Sequence, residues 1–119
     1  MVHRLYNLKK LDEIAQGNQE FIREMVVTFV ENVTKDISGI LSLKSVENWT
    51  AIAETSHKLA SNFAYLGAGR LHALAADIER SVINERNLTG VSDKTDKLCN
   101  EGSFLVSQLK KDFCITVLN

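Results

Sequence analysis

One histidine in this chain has surroundings that suit nucleophilic chemistry. Segment 49–66 has the apolar spacing of a helix, and His57 falls about 130° around that helix from the centre of its apolar stripe. The stripe consists of Trp49, Ile52, Ser56, Leu59, Phe63 and Leu66. We therefore expect the imidazole ring to reach solvent, where its neutral form can act as a nucleophile.

Small residues surround His57 on the predicted helix, which favours close approach by another protein. The flank at helical-neighbour spacing consists of Ala53, Glu54, Ala60, Ser61 and Ala64. Three alanines and a serine predict a low, flat docking surface beside the ring. Lys58 follows His57 directly, and its long side chain can bring an ammonium group near the imidazole.

The spacing of apolar residues predicts helices along the whole chain and no strands. The predicted helices span residues 6–16, 19–44, 49–66, 70–86 and 93–117, and residues 87–92 are predicted to form a loop. Because four long helices with short connections must run antiparallel to their neighbours, we expect an all-α, up-down-up-down four-helix bundle. The short first helix is expected to lie across one end of it.

The same spacing identifies the residues expected to face the core. In the first helix they are Leu8, Leu11 and Ile14. In the second they are Phe21, Ile22, Met25, Val26, Phe29, Val33, Ile37, Ile40 and Leu41, in the fourth Leu71, Leu74, Ala75, Ile78 and Val82, and in the fifth Leu98, Leu105, Val106, Leu109 and Phe113. Asn18 and Asn48 are placed to cap the second and third helices. Gly67 and Gly69 bracket a tight turn.

Composition limits the class of protein. A chain of 119 residues with a formal net charge of −1 is predicted to form a single domain over residues 1–119. No basic excess points to nucleic acid or to an anionic membrane as a partner. No run of about eighteen apolar residues is present, and the first residues lack the apolar stretch of a signal peptide. The initial methionine favours a free-standing protein.

Two cysteines complete the chemical inventory. Cys99 and Cys114 are fifteen positions apart on one predicted helix, hence about 22 Å apart, which is too far for a disulfide. Two reduced thiols predict a cytoplasmic protein. His57 and His72 lack the spacing of a helical metal pair, so no metal site is expected. Asp77 and Glu79 are interpreted as a solvated surface rather than as an acid–base pair.

The residues around and after His57 resemble the histidine-containing phosphotransfer (HPt) family of two-component phosphorelays. The matching residues are His57, Lys58, Leu59, Leu66, Gly67, Ala68, Leu71, Leu74, Ala75, Ile78 and Glu79. Segment 17–22 and Phe29 resemble the usual family opening. Two residues depart from the family pattern, which usually has glycine where this chain has Ser61 and often lysine where it has Ala60.

The resemblance implies a specific chemistry. His57 would accept a phosphoryl group on Nε2 from one receiver-domain aspartate and donate it to another, and Lys58 would offset the charge. The expected partners are response-regulator receiver domains and a hybrid sensor kinase. The chain would be a monomeric phosphoryl carrier without kinase activity or a cofactor of its own, because the receiver would supply the aspartate and Mg²⁺.

Two other classes of function remain open at this point. A helical adaptor could bind a receiver domain through the same surface without being phosphorylated, although the His57–Lys58 pair argues against this interpretation. A purely structural helical bundle would bind no receiver at all, and a lone exposed histidine is most often an ordinary surface residue.

Overall fold

The computed structural model describes residues 4–84 and 88–115, most of which are helical. The helices are α1 (Lys9–Ala15), α2 (Gln19–Ser45), α3 (Trp49–Tyr65), α4 (Gly69–Ile83) and α5 (Leu88–Asp112). No strand occurs within these two ranges, so the predicted all-α class is confirmed.

The four long helices form a closed antiparallel ring. Both α2 and α4 pack against α3 and α5, and the most extensive contact joins α3 to α4. Cross-helix pairs run in opposite directions along the sequence: Phe29 with Tyr65, Asp36 with Lys58, Ala60 with His72, His57 with Glu79, Arg70 with Glu101, Asp77 with Lys94, Lys44 with Asp96, and Arg23 with Phe113 just after α5. This order is consistent with the predicted up-down-up-down arrangement.

The apolar stripes of the helices meet in one core. Its largest fully buried side chain is Phe63 of α3, and α2 contributes Ile22, Val26, Val30, Val33, Ile37 and Ile40. Three residues predicted to face inward are exposed: Ile14, Phe21 and Leu41. On α2 the buried residues form one line about 80° wide, and Phe21 and Leu41 lie about 130° and about 70° from its centre. Val30, which the sequence prediction omitted, occupies the line instead.

Side-chain caps start α2 and α3 as predicted. The Asn18 side chain accepts a hydrogen bond from the Phe21 N–H at 3.1 Å, and Asn48 accepts one from the Ala51 N–H at 3.2 Å. These bonds satisfy amide groups that have no partner within the helix. The starts of both helices are therefore fixed by local sequence.

The turn between α3 and α4 also anchors the N-terminal segment. Gly67 has a φ of +64°, which favours glycine, and a Cβ added there would overlap the Asn7 carbonyl. The Asn7 N–H donates to the Leu66 carbonyl at 2.9 Å, and the Lys10 ammonium lies 4.7 Å from the centre of the Tyr65 ring. The segment leading into α1 and α1 itself thus lie against this end of the bundle, as predicted.

The predicted loop at 87–92 is wrong over residues 88–92. Helix α5 already begins at Leu88, because Val91 is buried and extends the apolar stripe that continues through Thr95 and Leu98. Helix α4 ends at Ile83 rather than at residue 86, and residues 85–87 lie outside the described ranges.

The far end of α5 also differs from the prediction. The helix ends at Asp112 rather than at residue 117, which lies outside the described ranges. Cys114 has a φ of +51°, and the Arg23 guanidinium donates to the carbonyls of Phe113 and Cys114. The two cysteines therefore do not share one helix. Both thiols are free, with Cys99 buried and Cys114 exposed.

We predict opposite effects of alanine at two glycines. Gly67→Ala should destabilise the fold by at least about 2 kcal/mol, because it adds positive-φ strain to an overlap with the Asn7 backbone. Gly39→Ala should stabilise it by about 0.5–1 kcal/mol, because Gly39 is within α2 and a Cβ there meets no atom within 4 Å. Urea denaturation measures both. A Gly67→Ala protein as stable as the wild type would contradict this account of the turn.

Candidate functional site

Helix α3 directs His57 away from the core. The residues on either side of it in the buried stripe, Ser56 and Leu59, are fully buried, whereas 68% of the His57 side chain is exposed. The expectation that the ring reaches solvent is therefore confirmed. It follows from helix geometry, because successive residues on a helix point in directions about 100° apart and His57 therefore faces away from its buried neighbours.

A carboxylate on α4 faces one nitrogen of this ring. Nδ1 of His57 lies 2.9 Å and 3.1 Å from the two carboxylate oxygens of Glu79. The sequence analysis interpreted Asp77 and Glu79 as a solvated surface and did not predict this contact with His57. The sequence contained a signal, because His57 and Glu79 are at similar distances from the centre of the turn at Gly67, ten and twelve residues away. Residues equally distant from a tight turn are level in an antiparallel helix pair.

The Lys58 ammonium points towards α2. It lies 4.0 Å from the Asp36 carboxylate, and 66% of the Lys58 side chain is exposed. Burial raises the pKa of the Asp36 carboxyl, and the Lys58 and Lys35 ammonium groups oppose that rise. An exposed ammonium at this distance is weakly held, so the side chain can move at little cost. Electrostatic support of His57 chemistry by Lys58 stays a prediction.

The small residues beside His57 divide into two groups. Ala53 and Ala60 are only 6% and 8% exposed, so they add little to the surface that was expected beside the ring. At Ala60 the reason is close packing of α4, since the His72 Nδ1–H donates to the Ala60 carbonyl at 2.8 Å. Glu54 and Ser61 are exposed and Ala64 is partly exposed. These three residues form the accessible flank, and its use in docking stays a prediction.

An aromatic surface continues from this flank towards α1. Tyr65, which is 39% exposed, lies about 12 Å further along α3 than His57. Its ring stacks on Phe29 of α2 with centroids 5.6 Å apart, and Lys10 covers it from α1. Sequence reasoning did not identify this aromatic surface, because its members come from three helices whose relative placement depends on tertiary packing.

Other reactive groups are engaged elsewhere. Asp77 forms an ion pair with Lys94 of α5 at 2.7 Å, and this hydrogen bond lowers the pKa of the Asp77 carboxyl. Burial raises the pKa of the Cys99 thiol to about 11, so the thiol is unreactive near neutral pH. In the part of the chain that the structure describes, no three metal-binding side chains cluster, and no helix is long and apolar enough to cross a membrane.

These features define a class of protein: an antiparallel helical bundle that presents one histidine beside a carboxylate on an accessible face. A family model described as Hpt domain matches residues 24–111, about three quarters of the chain, and the chain belongs to this family. Hpt domains are phosphocarrier modules of two-component phosphorelays, where they interact with receiver domains and kinases. No curated protein and no solved structure matches the chain.

The accessible flank predicts that a larger side chain beside His57 would hinder the approach of a receiver domain. Ala64→Arg should slow phosphoryl transfer from a receiver by at least tenfold, because displacing reacting atoms by about 1 Å can cost on the order of a hundredfold. Ser61→Gly, which removes bulk beside the ring, should keep or raise the rate.

Ser103→Arg is the matched control for this series. It adds the same side chain to α5, which packs against α2 and α4, and should leave transfer unchanged. Rates come from time courses of label loss from a phosphorylated receiver, with helicity checked by circular dichroism. Transfer by Ala64→Arg at the wild-type rate would show that partners do not cover this flank.

Proposed function

We propose that this protein relays a phosphoryl group between receiver-domain aspartates and that His57 is the residue phosphorylated. The observation that carries the proposal is the geometry of the His57 ring, which is mostly exposed on α3 and turns Nδ1 towards Glu79. The other nitrogen, Nε2, is then the one available to a partner. His57 also lies within the part of the chain that matches the family.

The reaction needs little from the bundle beyond a positioned nucleophile. Nε2 of His57 attacks the phosphorus of an aspartyl phosphate as the bond from phosphorus to the aspartate oxygen breaks, and the electron pair leaves with the carboxylate. Phosphoryl transfer is promoted mainly by positioning and charge neutralisation. The receiver domain contributes its aspartate and Mg²⁺, so this chain acts as a carrier with neither a cofactor nor kinase activity of its own.

The partner's footprint follows from the exposed residues around His57. Glu54, Ser61 and Ala64 form the near edge of the interface, and Lys58 swings towards the phosphoryl group when a receiver displaces its weak contact with Asp36. Ala53 and Ala60 are nearly buried, and the small side chain of Ala60 lets α4 pack closely against α3. The aromatic surface around Tyr65 adds apolar contact area to the same interface.

The setting follows from the chemistry of the partners. Receiver domains of response regulators and of a hybrid sensor kinase are the donors and acceptors, and a cytoplasmic location gives the carrier access to both. The protein acts as a monomer, because a single copy displays the complete site.

Labelling of two histidine variants tests the phosphoacceptor. Incubation with a phosphorylated receiver should place an acid-labile, alkali-stable label on the wild-type protein, and His57→Gln should abolish it. His72→Gln is the matched control, because His72 is also exposed and glutamine can still donate to the Ala60 carbonyl. Equal labelling of wild type and His57→Gln would exclude the proposed relay. Binding of a receiver by a wild-type protein that takes up no label would support the adaptor alternative.

Removal of one aromatic ring tests the footprint. Tyr65→Ala should weaken binding of an unphosphorylated receiver by about tenfold, as loss of a moderate interface hot spot does. Phe104→Ala removes a more exposed ring, 57% against 39%, from α5, which packs against α2 and α4, and it should have no effect. Calorimetric titration measures both affinities. If both variants weakened receiver binding equally, Tyr65 would not belong to the proposed interface.

A further inference from the structure

A second imidazole, that of His72 on α4, is held in a fixed orientation close to the proposed site. Its Nδ1 lies 2.8 Å from the Ala60 carbonyl oxygen, and the residue is exposed. A carbonyl oxygen can only accept a hydrogen bond, so Nδ1 carries the proton of the neutral ring. The lone pair is then on Nε2, which has no hydrogen-bond partner within the described part of the chain.

The hydrogen bond from His72 orients the ring and is not needed to complete α3. Ala60 lies inside α3, which ends at Tyr65, so its carbonyl accepts from the Ala64 amide in the regular helix. A carbonyl oxygen has two lone pairs, and the bond from His72 uses the second. Because the backbone is satisfied without it, the main effect of this bond is a fixed direction for the imidazole.

The residues around His72 are too small to cover its ring. On a helix the neighbours of a side chain are three and four positions away. For His72 on α4 these are Ala68, Gly69, Ala75 and Ala76. A Cβ built at Gly69 meets no atom within 4 Å, so the space there is open. The imidazole therefore projects from a surface of small, uncharged residues.

A partner that is seated on His57 would also cover His72. Ala60, to which the His72 ring is bonded, is three residues after His57 on α3, a rise of about 4.5 Å. An interface of standard size covers about 800 Å² of each partner, which corresponds to a patch that reaches about 16 Å from its centre. The His72 ring lies within that reach.

We propose that His72 is a second binding contact for the receiver domain, in which Nε2 accepts a hydrogen bond from an N–H or O–H group of the receiver. This inference rests on the proposed function, which supplies the partner. A receiver that covers Nε2 without offering a donor strips water from a polar group and leaves it unsatisfied, which costs binding free energy. Receivers that present a donor at this point are therefore favoured over receivers that do not.

Two variants of His72 and one control test this contact. His72→Leu removes the acceptor, whereas His72→Gln can donate its amide N–H to the Ala60 carbonyl and still offer an oxygen to the receiver. Asn100→Leu is the matched control, because it replaces an exposed, uncharged polar residue of α5, which packs against α2 and α4. Calorimetric titration with an unphosphorylated receiver domain measures the affinities, and circular dichroism checks the fold.

His72→Leu should bind the receiver about tenfold more weakly than the wild type, the scale expected when one hydrogen-bond partner is lost. His72→Gln and Asn100→Leu should bind as the wild type does. Nitrogen-15 spectra of the wild-type histidine rings at about pH 8, where histidine is ordinarily neutral, give a second readout. Addition of the receiver should move the His72 Nε2 resonance to lower frequency and leave Nδ1 in place. A purely structural His72 would show no such change.

Receiver binding by His72→Leu at the wild-type affinity, or an Nε2 resonance that does not respond to the bound receiver, would overturn the inference. Failure of the relay alone has a different signature, because the wild-type protein would then bind the receiver without taking up label while both effects at His72 remained. A wild-type protein that binds no receiver domain would overturn the relay and this contact together.

Discussion

The pairing of α3 with α4 is the constraint on which the site depends. The two helices are joined by a turn of three residues, 66–68, which fixes both their antiparallel direction and their register. Within that register His57 meets Glu79, and the Ala60 carbonyl meets His72. Small residues on the inner edge of α3 let the helices approach closely. The contact between α3 and α4 therefore determines both the packing of the two helices and the surroundings of His57. A substitution that alters this packing would also alter those surroundings.

The bundle separates its tasks between faces of the same helix. The buried side of α3 contributes Phe63 and the other apolar residues that hold the helix in the core. The outer side carries the His57 ring, whose proposed chemistry needs accessibility rather than a pocket. A phosphocarrier needs no catalytic pocket of its own, because the larger part of the transition-state stabilisation for phosphoryl transfer can come from the partner. The fold thus needs to supply only orientation and a clear approach.

Features that depend on a single helix could be predicted from the sequence. The spacing of apolar residues predicted the helices, and the position of His57 relative to the apolar stripe of α3 predicted its exposure. Features that depend on two helices were harder to predict. Ala53 and Ala60 are on the predicted flank, but at Ala60 α4 packs closely against that flank. Glu79 matched the family pattern, but its contact with His57 could not be predicted until the register of the helix pair was known. The start of α5 was missed because Thr-Gly composition favours a loop, while burial of Val91 outweighs it.

The N-terminal segment has a consequence for any larger assembly. Arg4 forms an ion pair with Asp112 at 2.9 Å, so the first and last parts of the described chain meet at one end of the bundle. A polypeptide fused before residue 4 or after residue 115 would leave from that same end. Neither tether would need to cross the outer side of α3, so a domain attached at either point could leave the imidazole uncovered.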